Sequence, residues 1–300
     1  MRTKTYLFAL MTMALTLGSC SADENGIGGE TSKYITVSTS IGNMTRVATD
    51  ANGGQTFEEG DEISVYAWTG APTVAPETSE RVVNNAINKL TNGAWVATPQ
   101  MLWKNNREKH YFIGVYPTAA ISDLSAGEYT FDVNKQTESD LLVAVNPDGL
   151  SYSADAQQTV PLTFTHVMAK LAVNLTYKNQ WGGIPTVEKV VVGNAAKEAT
   201  INYLTKVVTP STTAKEDFSL PEITENTKYV SVIIPQEEVT QLTIVIGGKN
   251  FVYDNGTPFK LESGKITTVN LEVGRDEIKL GDVKITDWED GSTFGGEALN

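Results

Sequence analysis

From Tyr34 onward, hydrophobic side chains recur at every second position, and a period of two belongs to a β-strand, not a helix. Ile35, Val37, Thr39 and Ile41 alternate with Tyr34, Thr36, Ser38 and Ser40. Ile63, Val65 and Ala67 alternate with Ser64, Tyr66 and Trp68, and Leu171, Val173 and Leu175 with Ala172, Asn174 and Thr176. Residues 111–116, 129–133, 141–145, 160–164, 188–192, 229–234, 242–246, 250–253, 266–273 and 278–288 read the same way. Turn signals punctuate these runs: Asn52-Gly53-Gly54, Asn92-Gly93, Pro147-Asp148-Gly149, Gly182-Gly183, Gly247-Gly248 and Asp254-Asn255-Gly256. The last lies between Phe251-Val252-Tyr253 and Phe259, which predicts a hairpin. Many short strands at this spacing specify an all-β sandwich or barrel. Only residues 78–90, with Val82, Val83, Ala86, Ile87 and Leu90 at near-helical spacing, predict a helix.

A chain of 300 residues, 40% of them hydrophobic, suits two domains of about 100–150 residues each. The polar, strand-poor stretch 148–158 puts a boundary near residue 160, with one sandwich over 33–160 and a second over 161–300. The net charge of −13 disfavours nucleic acid and anionic membrane as partners, because such a surface repels phosphate.

The single cysteine, Cys20, excludes an internal disulfide framework and any multi-cysteine metal site. It follows Arg2, Lys4 and a mostly apolar run over residues 6–17. That run is short of the roughly 20 residues a membrane-spanning helix needs but suits a signal peptide. Leu17-Gly18-Ser19-Cys20 resembles the bacterial lipobox, in which the cysteine is lipidated. The expectation is a lipoprotein signal peptide over 1–19, a lipid on Cys20 holding the precursor in the outer membrane, and a flexible polar tether over 20–32. An ordinary signal peptide that happens to contain a cysteine is the alternative.

Residues able to do chemistry are sparse. The two histidines, His110 and His166, belong to no recognisable nucleophile or metal motif, and no P-loop is present. His166 reads as a half-buried strand or turn histidine bonded to backbone. The carboxylates Glu58, Glu59, Asp61 and Glu62, then Glu237-Glu238, then Asp287, Glu289 and Asp290, sit beside Gly60, Pro235 and Gly291 and read as solvated turn acids; a glycosidase pair is the remote alternative. Trp68, Trp95, Trp103, Trp181 and Trp288 could stack on a glycan, but aromatics in sandwiches are mostly core. No catalytic residue, cofactor or metal site is assigned.

Five stretches taken in order resemble the fimbrillin (fimbrillin-like, Mfa-like) family of type V pilus subunits. They are the lipobox with its tether; the first strand over 34–41 followed by Met44-Thr45-Arg46-Val47; Phe57-Glu58-Glu59-Gly60-Asp61-Glu62-Ile63-Ser64-Val65; residues 111–117 with Phe164-Thr165-His166 and Ala169-Lys170-Leu171; and Val232-Ile233-Ile234-Pro235-Gln236 with a terminal Ile285-Thr286-Asp287-Trp288. The resemblance implies two tandem β-sandwich domains of transthyretin-like, Greek-key type. It also implies an assembly route at the cell surface. An Arg-specific protease removes the lipid and first strand, and a strand of a neighbouring fimbrial subunit fills the groove.

Arg46 lies in a loop-like stretch, so cleavage between Arg46 and Val47 would release Cys20 and strand 34–41 together. About four inward side chains would leave a groove worth on the order of 5–10 kcal/mol to refill, before entropy. The donor candidate is 278–288, where Ile278, Leu280, Val283, Ile285 and Trp288 are the apolar positions. Arg46 could instead be an ordinary surface arginine, and 278–288 could complete its own domain. The competing readings are an uncut, lipid-held anchor subunit and a monomeric surface lipoprotein that binds a host ligand or glycan.

Overall fold

The structure is a computed structural model that describes residues 33–42, 56–153 and 158–288. The expected signal peptide, Cys20, the tether and the Arg46–Val47 bond lie outside the described residues. Strands dominate, as expected for an all-β chain. In order they are β1 (Thr36–Ile41), β2 (Glu62–Thr69), β3 (Val83–Thr91), β4 (Ala94–Thr98), β5 (His110–Tyr116), β6 (Gly127–Thr130), β7 (Leu142–Leu150), β8 (Thr159–His166), β9 (Ala169–Tyr177) and β10 (Val187–Ala196). There follow β11 (Glu198–Asn202), β12 (Val207–Pro210), β13 (Lys215–Ser219), β14 (Glu222–Thr224), β15 (Lys228–Ile233), β16 (Gln236–Ile246), β17 (Lys249–Leu261), β18 (Lys265–Val273) and β19 (Ile278–Asp287).

They form a seven-stranded sheet in the order β1-β8-β7-β5-β2-β3-β4, a five-stranded sheet β14-β15-β9-β18-β19, a four-stranded sheet β13-β10-β16-β17 and a three-stranded sheet β12-β11-β6. The seven-stranded sheet uses only strands before Val167, and the five- and four-stranded sheets only strands after it. β6 alone crosses over, pairing its Gly127–Thr130 with Glu198–Ile201 of β11.

The middle of the seven-stranded sheet is buried on both faces, so the period-two pattern there sorts residues between two cores and not between core and water. In β2, Ile63, Val65 and Ala67 enter a smaller core with Ile35, Val37, Phe112, Leu162 and Phe164. Tyr66 and Trp68 point the other way, into a larger core that continues through Val173, Ile233, Leu242 and Val269.

The helix expected over 78–90 is not formed. Thr78–Glu80 makes one 3-10 turn and the rest is β3. The helical spacing has another cause. Val83 pairs with Ala67 and Ala86 with Val65, so Asn84 and Asn85 together oppose Tyr66 alone. This bulge, with Asn85 at φ 57°, brings residues three apart to one face of a strand. The hairpin expected at Asp254-Asn255-Gly256 is also absent: β17 runs on through it, pairing Asp254 with Gln241 and Phe259 with Val239. Pro147-Asp148-Gly149 likewise falls inside β7, opposite an irregularity in β5. Asn92-Gly93 and Gly247-Gly248 do turn as expected; both residues of each pair have positive φ, as a two-residue primed hairpin requires.

Candidate functional site: the first strand and the last

β1 is an edge strand. It pairs with β8 alone, in parallel, from Thr36 opposite Thr159 to Ile41 opposite Phe164. Gly42 N–H extends the ladder to Phe164 O at 2.8 Å. At its start the chain meets the segment after β4: Ile35 N–H donates to Met101 O (3.0 Å) and Trp103 N–H to Lys33 O (3.1 Å). Trp95 of β4 reaches over to donate its Nε1–H to Thr39 Oγ1 (3.0 Å). The strand thus bridges the two ends of a curled sheet.

Its inward side chains are sealed unequally. Ile35 is 1% exposed and Val37 6%, packed in the core that holds Val160, Leu162, Phe164, Met101 and Trp103. Thr39 and Ile41 are only half-buried. The four-residue groove expected from the sequence therefore has two deep positions, worth about 3–6 kcal/mol between them. The outward residues are neutral; Ser40 donates to Thr163 Oγ1 (3.2 Å). One wall depends on a glycine. A Cβ on Gly114 would lie 2.6 Å from Phe164 Cζ, so the phenyl ring occupies space that any other residue would fill.

β19 is the edge of the five-stranded sheet and pairs antiparallel with β18. Its register breaks between Val269, opposite Val283, and Leu271, opposite Leu280, so Gly281 and Asp282 together face Asn270. Asn270 donates to Asp282 Oδ1 across the break at 2.7 Å. Ile278 and Leu280 are half-buried against the larger core, whereas Val283 and Ile285 are each 37% exposed. Trp288, immediately after the strand, is 3% exposed. Its ring stacks flat on His166, with centroids 3.9 Å apart and planes 6° apart, and Lys170 Nζ lies 4.0 Å from its centroid. Its N–H donates to Gly264 O at 3.0 Å.

The remaining sequence-level residues resolve into supports. His166 ends β8 fully buried, with Nδ1 2.8 Å from Asp140 Oδ1, so the half-buried position expected for it is not what forms. His110 is also buried. Its Nε2 accepts from Lys104 N–H (3.1 Å), and burial pushes its pKa below the ordinary imidazole value. The acids cap turns and pair with lysines: Asp61 accepts from Glu58 N–H, Glu59 from Asn92 N–H, and Glu62 and Glu237 pair with Lys89 and Lys260. Trp68, Trp103 and Trp288 are core residues, and Trp95 and Trp181 are half-buried, so the five do not assemble a stacking face. Among the described residues, no group of three or more His, Cys, Asp or Glu could hold a metal ion. Sequence reasoning missed Met101, the place of Trp103 beside the first strand, and Asp140. The apolar Met101-Leu102-Trp103 after β4 was the available signal for the first two.

By class this is an all-β protein with the sandwich-like fold of several solved bacterial cell adhesion and fimbrial proteins. A structure assigned to cell adhesion from Bacteroides uniformis shares it with a TM-score of 0.61 at 20% identity, over 78% of this chain and 93% of that one. Another assigned to cell adhesion, from Bacteroides ovatus, has a TM-score of 0.62 at 18% identity, over 85% and 98%. A fimbrial protein from Bacteroides vulgatus has 0.51 at 13%, over 84% and 99%. No curated protein sequence matches the chain. The family described as fimbrillin-like matches residues 45–288, from beyond β1 to Trp288, and the chain belongs to that family.

Proposed function

We propose that the chain is a structural subunit of an adhesive surface fimbria, exported as a lipoprotein through Cys20 and polymerised by strand exchange. Cleavage between Arg46 and Val47 frees the subunit from its lipid and takes β1 with it. The segment 278–288 of a neighbouring copy, or of another fimbrial subunit, then refills the groove.

The observation that carries this reading is the asymmetry of β1. β8 alone ladders with β1, and a two-bond bridge to Met101 and Trp103 holds the residues just before it, yet Ile35 and Val37 are sealed in the core. An edge strand of this kind can be withdrawn without breaking a sheet internally, and its loss leaves apolar surface that favours a replacement. Membership of the fimbrillin-like family agrees with it.

Mass spectrometry of the protein taken from the cell surface tests it. A mature chain starting at Val47 is the expected result. Lipidated Cys20 on every molecule would overturn cleavage and leave an uncut anchor or a monomeric lipoprotein. Arg46→Ala should fold normally and fail to assemble, so normal fibre yield from that variant also refutes the processing step.

A further inference from the structure

The chain after β4 keeps a period of two. Met101 and Trp103 turn into the smaller core, and Leu102 between them stands 44% exposed. The segment then folds back on itself. Asn105 Oδ1 accepts the N–H groups of Arg107 (2.8 Å) and Glu108 (2.9 Å), and its Nδ2 donates to Glu108 Oε2 (2.6 Å). Lys104 Nζ donates to Thr69 Oγ1 at the end of β2 (3.2 Å) and lies 3.6 Å from Glu108 Oε2. A lysine, a hydroxyl and a carboxylate are thus fixed side by side in one wall.

The 3-10 turn Thr78–Glu80 makes a second wall. Arg81, 8% exposed, pins it: the guanidinium donates to Ile121 O (2.6 Å), Ser122 O and Asn84 Oδ1 (2.9 Å). Glu80 gives one carboxylate oxygen to Glu77 N–H (3.3 Å), while its other oxygen and the Ser79 hydroxyl have no partner among the described residues. Together the two walls line a cleft of about 730 Å³, with Leu102, Val82 and Pro76 as apolar surface. That volume falls within the roughly 300–1,000 Å³ of small-molecule sites.

The lining selects its ligand by charge. Arg81 has spent its terminal nitrogens and Lys104 faces Glu108, so an anion would gain little, and a chain of net charge −13 repels it. Among the described residues no group of three or more His, Cys, Asp or Glu could hold a metal ion, here or elsewhere. A neutral ligand rich in hydroxyls suits every group present. Its O–H donors pair with Glu80 and Glu108, its oxygens accept from Ser79 and Lys104, and its C–H face covers Leu102. We propose that this cleft binds a neutral saccharide. The site is built within one chain, so it goes beyond the assembly reading above and does not rest on strand exchange.

The purified full chain, applied to an array of neutral, sialylated and sulfated oligosaccharides, tests this. Host-type glycans and bacterial or plant glycans form separate groups, and the group retained tells the source. Neutral members should be retained and acidic ones not; retention of none, or of acidic members alone, overturns the proposal. Calorimetry with the best-retained neutral oligosaccharide then locates the site. Ser79→Trp, at an exposed position, puts an indole into the cleft and should abolish binding. Glu80→Gln keeps an acceptor for Glu77 N–H, loses the charge-assisted bond and should raise Kd about tenfold. Leu102→Ser touches none of these hydrogen bonds and should weaken binding in the same direction, which guards against a misfolded Ser79 variant. Unchanged affinity in Ser79→Trp and Leu102→Ser puts the sugar elsewhere on the chain and overturns the assignment. Fibre yield from Ser79→Trp should stay normal, so the cleft and strand exchange fail or succeed separately.

Discussion

β1 and β19 are both edge strands with a single paired neighbour, and they are held in opposite ways. β1 has a parallel ladder to β8 and a short bridge to Met101 and Trp103 just before it, and its leading end, with Ile35 and Val37, buries two side chains in a core. β19 has the stronger antiparallel ladder, yet Val283 and Ile285 are 37% exposed and burial is concentrated in Trp288 just beyond it. The first strand is fixed by what its leading residues, Ile35 and Val37, fill; the last is fixed at its end by one ring. Withdrawing β1 exposes the deep pockets of Ile35 and Val37, whereas withdrawing β19 exposes the edge of β18, the His166 face and the margin of the larger core under Ile278 and Leu280. That contrast fits a plug and a donor better than two equivalent closing strands.

The largest expected difference separates Ile35 from Ile285. Ile35→Ala in the full chain should cost about 2–5 kcal/mol, because it opens a cavity beside Leu162 and Phe164. Ile285→Ala removes a side chain already over a third exposed and should cost about 0.5 kcal/mol or less. Urea titration of the two variants reads both values directly. Equal losses would mean that β19 is as firmly built in as β1, and the contrast would collapse.

A more local effect should come from Trp288→Ala. Beyond the burial of the ring itself, a stacked ring pair and a nearby ammonium contribute about 1–3 kcal/mol together. The loss should be local: amide exchange across 278–287 should accelerate while β1 keeps its protection. Unchanged exchange in β19 would show that the ladder to β18 suffices without the ring.

How much of this was legible in the sequence depended on whether a feature was local. The alternation Ile35, Val37, Thr39, Ile41 located β1 and its inward face, because period two is written in consecutive residues. The bulges were not legible. Whether Asn84-Asn85, Asp254-Asn255 or Gly281-Asp282 turns the chain or merely kinks a strand is decided by the strand opposite. The short strands between 198 and 224 were also missed; apart from Ala199, Ile201 and Phe218 they bury almost nothing, so they carry no hydrophobic rhythm to read. The stack of Trp288 on His166 joins distant parts of the chain and has no local signature, although both residues stood out singly. Cys20 and Arg46 were read from sequence motifs and remain arguments from sequence.

Acid offers the finest probe, because His110 touches β1's support and not β19's. In the neutral ring, Nδ1–H donates to Glu108 O (3.2 Å) and Nε2 accepts Lys104 N–H (3.1 Å). A second proton would set Nε2–H against that amide. The ring also packs edge-on against Trp103, centroids 5.0 Å apart, and Trp103 N–H bonds Lys33 just before β1. Burial lowers the pKa most; the Glu108 carbonyl and carboxylate raise it, and the Lys104 charge lowers it. The folded ring therefore stays neutral where the unfolded one, near 6.5, takes up a proton. The unfolded state binds more protons in that window, so this contribution is complete above about pH 6.5 and is lost as pH falls toward the lower folded value, at no more than about 1.4 kcal/mol per pH unit. Glu277, beside β19, is held below the ordinary carboxylate range by Lys178 and stays ionised throughout. Between about pH 6.5 and 5, exchange protection should therefore weaken at 33–37. His110→Gln should flatten that response. If it leaves the slope intact, the acid sensitivity lies elsewhere and β1 is not singled out by pH.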